Sequence, residues 1–171
     1  WRRWYGVSRL DRWGIIGGQV VVPISRKRPP YWVWNAGMRQ LYMSSYHLST
    51  ASIPLYIEAM NAYRVKYIYG YPSALNAIAQ AIRQHNLSMP KLAVAITNAE
   101  PLYDYQRAII ENAFNCPVRE TYGMTEMVTA ASECEAGKMH LWPEAGILEI
   151  LDSDMTINPK LEEGELVATS L

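Results

Sequence analysis

Apolar positions between residues 65 and 121 alternate between two periodicities. Short apolar runs at 65–69, 92–96 and 117–121 have the composition of strands, and the middle run is continuous enough for a strand buried on both faces. The two segments between these runs repeat apolar residues at helical spacing. The predicted helical faces consist of Leu75, Ile78, Ala79 and Ile82 in the first segment and Leu102, Tyr105, Ile109 and Ala113 in the second. This order predicts an α/β fold, a parallel sheet with flanking helices and right-handed crossovers.

The pattern changes after residue 125. Four apolar segments joined by turns follow without an intervening helix, which predicts an antiparallel β subdomain. These segments are 129–133, 139–142, 146–151 and 164–169. We therefore divide the chain into an α/β part, residues 1–127, and a β-rich part, residues 128–171.

Upstream of residue 65 the signals are shorter. The apolar stretch 14–22, with a bend at Gly17-Gly18, and the stretch 39–44 predict two strands. A helix is predicted from a cap at Ser49 or Thr50 to about residue 63.

The composition favours a soluble globular protein and gives no sign of a charged partner. Half of the 171 residues are hydrophobic, and 16 Lys and Arg balance 16 Asp and Glu. We therefore expect neither nucleic acid nor an anionic membrane as a partner, and no apolar run reaches the ~20 residues of a membrane helix. The basic run 26–28, followed by two prolines, is interpreted as a solvated loop. Without a secretory signal or a disulfide framework, the cytoplasm is the expected compartment.

Three turns follow the predicted parallel strands, at 70–73, 98–101 and 122–126. Ligands of open parallel sheets bind beyond the carboxyl ends of the strands, so these turns are the candidate site. In the third turn, the Tyr122 ring can stack on a base and the Thr125 hydroxyl can donate to a phosphate oxygen. The Glu126 carboxylate can hold Mg²⁺ beside phosphate. Taken alone, the five residues 122–126 can also be interpreted as an ordinary solvent-exposed turn without a ligand.

The order of motifs along the chain resembles the adenylate-forming superfamily. The similarity is to the branch that contains phenylacetate–coenzyme A ligase and related capsule-biosynthesis and coenzyme-adenylating proteins. The matching stretches cover nearly the whole chain: 44–49, 70–73, 98–102, 122–126, 133–140, 148–150 and 164–171.

The resemblance implies roles for the second and third turns. Tyr122 would stack on adenine, Thr125 would contact the α-phosphate and Glu126 would bind Mg²⁺. Gly123 and Met124 complete this nucleotide-binding turn. The turn that would lie against the other side of the adenine comprises Asn98, Ala99, Glu100 and Pro101. Relatives often have glycine where Asn98 stands, and asparagine also tolerates a positive φ.

The resemblance also implies an acid-binding pocket and a partial metal site. Tyr46 and His47 match a region near the acyl-substrate pocket, although His47 is equally well interpreted as a hydrogen-bonded histidine at a strand end. Tyr71 either walls the same pocket or is an ordinary half-buried aromatic residue. Cys134 and His140 are either two ligands of a partial zinc site or a free cysteine beside an unrelated histidine. Cys116 is assigned to the core.

The implied protein is part of an ATP-dependent, AMP-forming ligase that uses Mg²⁺ and passes an aryl or aryl-acetic acid to coenzyme A. Because residue 1 is Trp and no Gly/Ser/Thr-rich phosphate loop is seen, we expect an internal fragment of the large adenylating domain. This piece alone is expected not to turn over, and exposed edges would favour a homodimer. Two alternatives stay open: a non-catalytic nucleotide-binding or scaffold module of the same fold, and an unrelated regulatory α/β domain.

Overall fold

A computed structural model describes residues 1–154, 156–157 and 163–170 of the chain. The chain divides into two compact units, Trp1–Glu120 and Thr121–Leu171, and each is described by itself. The boundary between the units falls inside a strand. The division predicted between residues 127 and 128 stays a prediction.

The first unit contains a mostly parallel sheet with three helices. Its elements are β1 (Trp13–Gly17), β2 (Trp32–Asn35), β3 (Gln40–Ser44), α1 (Ile53–Ala62), β4 (Tyr67–Gly70), α2 (Pro72–His85), β5 (Val94–Thr97), α3 (Asp104–Phe114) and the first half of β6 (Val118–Gly123). The spatial order is β2-β3-β1-β4-β5-β6. All neighbours pair in parallel except β2, which pairs antiparallel with β3 at the edge. The predicted α/β fold with a parallel sheet is therefore confirmed.

The two faces of this sheet bury different groups of side chains. Ile16, Leu41, Met43 and Ile68 pack against the helices, together with the predicted α2 face. All four residues of that face, Leu75, Ile78, Ala79 and Ile82, are buried. The other face buries Val7, Trp13, Tyr67, Val94 and Ile96 beneath the amino-terminal segment.

The predicted start of α1, with a cap at Ser49 or Thr50, is wrong by two or three residues. The helix begins at Ile53, and Ser52 is the residue before it. Ser49 forms a separate turn, because its hydroxyl accepts the Ser52 N–H at 3.3 Å and its carbonyl accepts the same group at 3.0 Å. The residues predicted as a cap therefore belong to the turn that precedes the helix.

The predicted apolar face of α3 is also partly wrong. Tyr105 is 59% exposed, whereas Gln106, Ile110 and Phe114 are buried. Gln106 is buried because its side-chain oxygen accepts the Tyr103 N–H at 3.2 Å, in a reciprocal cap at the helix start. Helical periodicity does not reveal a polar residue that is buried for capping.

The amino-terminal strands are shorter than predicted. β1 ends at Gly17, so the predicted strand 14–22 stops at the glycine bend. β2 was not predicted, since its residues alternate between half-buried and exposed at the sheet edge.

The second unit is built from antiparallel strands, as predicted. The end of β6 pairs with β7 (Ala130–Glu133), which pairs with β8 (Met139–Leu141). β9 (Ile147–Leu151) and β10 (Glu165–Thr169) form a separate antiparallel pair. Leu171, the last residue of the stretch 164–171 that carries the resemblance, lies outside the described residues. None of the described helices is long and apolar enough to cross a membrane.

Candidate functional site

The first two candidate turns, 70–73 and 98–101, are joined directly. β4 and β5 lie side by side, so the turns that follow them meet at the carboxyl edge of the sheet. The Ser73 N–H donates to Glu100 Oε2 at 3.0 Å and the Ser73 hydroxyl donates to Glu100 Oε1 at 2.9 Å. The Asn98 N–H donates to the Gly70 carbonyl at 3.3 Å. The Glu100 carboxylate thus holds the second turn on the amino end of α2.

The backbone of the second turn contains one left-handed residue, and it is Ala99. Its φ is 64°, whereas Asn98 does not have a positive φ. The resemblance led us to expect a positive φ at Asn98, because relatives often have glycine there and asparagine also tolerates it. The structure places the strain one residue later, where the chain turns toward Glu100.

The bend at Gly17-Gly18 gathers the aromatic residues predicted for the acid pocket. The Tyr46 hydroxyl donates to the Gly18 carbonyl at 2.8 Å, and the Ser45 hydroxyl donates to the Gly17 carbonyl at 2.6 Å. A Cβ at position 18 would lie 2.8 Å from the Tyr71 hydroxyl oxygen. Tyr46 and Tyr71 therefore converge on the same bend, a relationship indicated in the sequence only by two glycines after an apolar run.

His47 is hydrogen-bonded and also lines a cavity, and its role in an acid pocket stays a prediction. Its Nδ1 lies 2.8 Å from the Ser44 hydroxyl, and its ring stacks on Tyr31 at a centroid distance of 4.7 Å. Its Nε2 is buried without a hydrogen-bond partner among the described residues. His47 is thus a hydrogen-bonded residue at the end of β3 and also lines a cavity of about 510 Å³.

This cavity has an aromatic and aliphatic wall with two cations beside it. Its lining residues are Arg26, Lys27, Tyr31, Tyr46, His47, Leu48, Ser49, Ala51, Ser52 and Leu55. No carboxylate occurs among these described residues. Arg26 and Lys27 belong to the run interpreted as a solvated loop, and that interpretation is incomplete. The loop folds back because Arg26 donates to the Pro30 carbonyl at 2.9 Å and the Tyr31 hydroxyl donates to the Lys27 carbonyl at 3.1 Å.

The third candidate turn lies in the second unit and is open to solvent. Tyr122 and Gly123 end β6, and the Tyr122 side chain is 45% exposed. The chain then reverses, with the Met127 N–H bonded to the Met124 carbonyl at 3.1 Å. Thr125 and Glu126 are exposed within this turn.

The predicted magnesium ligand is chemically suited to the ion. Glu126 makes no hydrogen bond or ion pair with the described part of the chain, so both carboxylate oxygens are available. Mg²⁺ prefers oxygen ligands and is held in many sites by one or two carboxylates plus phosphate. A single exposed glutamate on this turn fits that requirement.

The two predicted zinc ligands lie in and beside the β7–β8 hairpin. Cys134 closes the β7–β8 hairpin, where its N–H donates to the Lys138 carbonyl at 2.8 Å, and His140 pairs in register with Ser132. Within the described residues no group of three or more His, Cys, Asp or Glu side chains is arranged to hold a metal. Cys134 is not in a disulfide bond, and the partial zinc site stays a prediction.

Cys116 lies in the core, as predicted. The thiol is buried beneath α3 and the sheet. Burial raises its pKa to about 12, because a thiolate would lose its hydration there.

Comparison with known proteins identifies the family. Residues 28–170 match the AMP-binding enzyme family, so the chain belongs to that family. Protein CapK of Staphylococcus aureus is 33% identical over 145 residues, which are 84% of this chain. The match covers 31% of CapK, so the chain spans about a third of the length of this curated relative. The alternative of an unrelated α/β domain is thereby excluded.

Solved structures agree on the fold. A 2-hydroxyisobutyryl-CoA ligase in complex with 2-HIB-AMP and CoA superimposes with a TM-score of 0.66 at 18% identity, covering 98% of this chain and 40% of the ligase. The anthranilate CoA ligase AuaEII in complex with anthranoyl-AMP superimposes with a TM-score of 0.62 at 11% identity, covering 99% of this chain and 34% of AuaEII. At these identities the similarity establishes the adenylating-enzyme fold.

Proposed function

We propose that this chain is part of an ATP-dependent, AMP-forming ligase that activates a carboxylic acid as an acyl-adenylate and passes it to coenzyme A. Membership of the AMP-binding enzyme family supports the adenylation step. The observation that carries the proposal is the series of three turns at the carboxyl ends of β4, β5 and β6. Two similar structures contain an acyl-AMP, and one of them also contains CoA.

The nucleotide would be held by the third turn, in the second unit. Tyr122 presents an exposed ring for stacking on adenine, a contact of about 1–3 kcal/mol per base. The exposed Thr125 hydroxyl can donate to the α-phosphate. The turn 98–101 belongs to the first unit. Because both Glu100 oxygens accept from Ser73, we assign Glu100 to positioning that turn.

Glu126 would hold Mg²⁺ against the phosphates. When bound, the ion neutralises negative charge that builds up on the phosphate oxygens during transfer. Glu126 and Thr125 lie on the same turn. The ion bound to Glu126 would therefore keep a fixed position relative to the Thr125 hydroxyl that contacts the α-phosphate.

The acid would occupy the cavity beside His47. Its volume of about 510 Å³ suits a small molecule, and the stacked Tyr31 and His47 rings suit a planar aryl group. Arg26 and Lys27 give the cavity a positive field that favours an anionic ligand. Tyr71, on the other side of the Gly17-Gly18 bend, would close the route between this cavity and the turn 70–73.

The reaction would proceed in two displacements. The substrate carboxylate oxygen attacks the α-phosphorus of ATP, and the bond to pyrophosphate breaks. The thiol sulfur of coenzyme A then attacks the acyl carbon, loses its proton, and AMP leaves with the bonding electron pair. The residues described here contribute by positioning the reactants and by charge neutralisation. We place this chemistry in the cytoplasm, which suits two free cysteines.

Calorimetric titration with ATP, with and without Mg²⁺, tests the proposal. Glu126→Gln should abolish the increase in ATP affinity caused by Mg²⁺ and leave metal-free binding unchanged. The matched control is Glu144→Gln, which removes another exposed carboxylate of the same unit. If Glu126→Gln keeps the full Mg²⁺ dependence, Glu126 is not the ligand. If the wild-type chain binds no ATP, the scaffold alternative replaces the proposal.

A further inference from the structure

A second cavity in the first unit lies at the amino ends of the parallel strands. It encloses about 360 Å³ and is lined by Arg2, Arg9, Leu10, Trp13, Gly37 and Met38. Trp13 is the first residue of β1, whereas the candidate turns 70–73 and 98–101 follow the carboxyl ends of β4 and β5. The cavity therefore lies at the opposite edge of the sheet from those two turns.

The charge at this cavity is uniformly positive. Two of its lining residues are arginines, and Arg39 adds a third guanidinium by donating to the Leu10 carbonyl at 2.8 Å. The lining, as far as the structure describes it, contains no carboxylate. The neighbouring Asp11 is already engaged, since it accepts Lys66 Nζ at 3.2 Å and the Ser8 N–H at 2.8 Å.

The whole first unit adds to this positive field. Residues 1–120 carry fourteen lysine and arginine side chains against six aspartate and glutamate side chains. The balanced net charge of the complete chain conceals this surplus. An anion that approaches the cavity is therefore attracted by the unit as well as by the nearby guanidinium groups.

Arg2 is held in a way that leaves its hydrogen-bond donors available. The guanidinium carbon lies 5.5 Å from the Trp1 ring centroid, 5.4 Å from the Trp13 ring and 5.8 Å from the Tyr67 ring. Cation–π contacts of this kind fix the cation through aromatic rings and do not occupy its N–H groups. Trp13 is itself fixed, because its indole N–H donates to the Met38 carbonyl at 3.0 Å.

Helix capping explains other basic residues at this edge but not the arginines of the cavity. Arg12 donates to the carbonyl of Tyr63, the residue that ends α1, at 3.3 Å, as cations commonly do at helix ends. Lys66 is paired with Asp11. Arg2 lines the cavity and packs over aromatic rings, and Arg9 is an exposed residue of its wall.

We propose that this cavity is a binding site for the diphosphate group of a small molecule, separate from the adenylate-forming site. Two guanidinium groups on one wall match the oxygens of a diphosphate, because the planar fork of arginine binds phosphate in a bidentate manner. Arg39 supplies a third positive charge at the rim. Leu10, Trp13 and Met38 form an apolar wall against which the organic part of the ligand would pack. This site does not depend on the proposed ligase reaction.

The test uses pyrophosphate and ADP as probes, without Mg²⁺, on the complete chain. Binding should shift the indole N–H resonance of Trp13 in an NMR titration, and calorimetry gives the dissociation constants. Arg9→Gln should weaken both probes about tenfold or more, because a charge-assisted hydrogen bond is lost. Arg9 is exposed, so this variant should stay folded. Arg2→Lys keeps the charge among the aromatic rings but loses the fork, so it should weaken binding as well.

The control is Arg83→Gln, which removes an exposed arginine of α2. It should leave the dissociation constants unchanged. If Arg83→Gln and Arg9→Gln weaken the binding of the probes equally, the anions are attracted by the overall positive charge of the unit. That result would overturn the proposed site. So would an unperturbed Trp13 resonance when either probe binds, because binding would then take place elsewhere.

Discussion

Ser73 and Glu100 are joined by two hydrogen bonds across the carboxyl edge of the sheet. The backbone N–H and the hydroxyl of Ser73 each donate to a different oxygen of the Glu100 carboxylate, at 3.0 and 2.9 Å. Twenty-seven residues separate the two partners in sequence. The pair links the start of α2 to the turn 98–101.

A double-mutant cycle measures the strength of this pair. Ser73→Ala and Glu100→Gln should each lower the free energy of unfolding, and their coupling should be about 1 kcal/mol because the pair is partly exposed. Urea denaturation of the wild type and the three variants provides the values. Strictly additive effects would show that the two side chains do not interact in solution.

The left-handed conformation of Ala99 predicts an unusual gain in stability. Ala99→Gly should raise the free energy of unfolding by about 1 kcal/mol, because glycine removes the steric cost of a positive φ. Asn98→Gly is the matched control, and it should lower the free energy of unfolding by about 0.5–1 kcal/mol. Glycine at position 98 relieves no steric cost in the folded chain and increases the conformational entropy of the unfolded chain. Denaturant unfolding of both variants measures the effects. Destabilisation by Ala99→Gly together with stabilisation by Asn98→Gly would contradict the assigned conformation.

Gly70 ends β4 where no side chain fits. A Cβ there would lie 2.8 Å from both the carbonyl oxygen and a methyl carbon of Ile16. Gly70→Ala should therefore destabilise the chain by about 1–3 kcal/mol. Gly17→Ala is the control, because the nearest atoms to its Cβ would be 3.9 Å away on the Tyr71 ring. Thermal and urea unfolding followed by tryptophan fluorescence should rank Gly70→Ala as the less stable variant.

Tyr122 should contribute to nucleotide affinity through its ring. Tyr122→Ala is expected to weaken ATP binding by about 1–3 kcal/mol, the usual value of a base–aromatic stack. Tyr122→Phe should bind ATP like the wild type, and Tyr105→Ala removes another exposed tyrosine, from the first unit, as a control. Fluorescence or calorimetric titration distinguishes these cases. Normal affinity in Tyr122→Ala would remove the ring from the site.

The two cysteines should differ in reactivity. Burial raises the pKa of Cys116 from 9.0 to about 12, so the folded protein holds almost no thiolate there at pH 8. Cys134 is partly exposed and should react first with a thiol reagent. Single-cysteine variants, Cys134→Ser and Cys116→Ala, allow each rate to be measured. Labelling of Cys116 at the rate of Cys134 would show that it is not buried.

The same pKa shift makes stability depend on alkaline pH. In the unfolded chain the Cys116 thiol ionises near pH 9, whereas in the folded chain it stays neutral up to about pH 12. Between these values only the unfolded state gains from ionisation, so the free energy of unfolding falls as the pH rises above 9. Cys116→Ala should reduce this slope in denaturation measured between pH 8 and pH 10.

Much of the fold follows from periodicity in the sequence. The predicted α2 face, Leu75, Ile78, Ala79 and Ile82, is buried, and the run 92–96 overlaps the fully buried strand β5. These predictions succeed because each helix or strand buries the apolar residues on one of its own faces. The spacing of those residues is visible in a short stretch of sequence. Tyr105 and Gln106 show where this reasoning fails, since an exposed aromatic and a buried polar cap reverse the expected pattern.

The sequence by itself determined the order of the predicted strands and helices and the family-like motifs of the three turns. Both depend on residues that are close together in the chain. Only the tertiary structure decided which distant side chains meet. The pairing of Ser73 with Glu100, the convergence of Tyr46 and Tyr71 on one bend, and the arginine-lined cavity beside Trp13 all join segments far apart in the chain. Such contacts depend on strand order and register in the sheet, which the local pattern of apolar and polar residues does not specify.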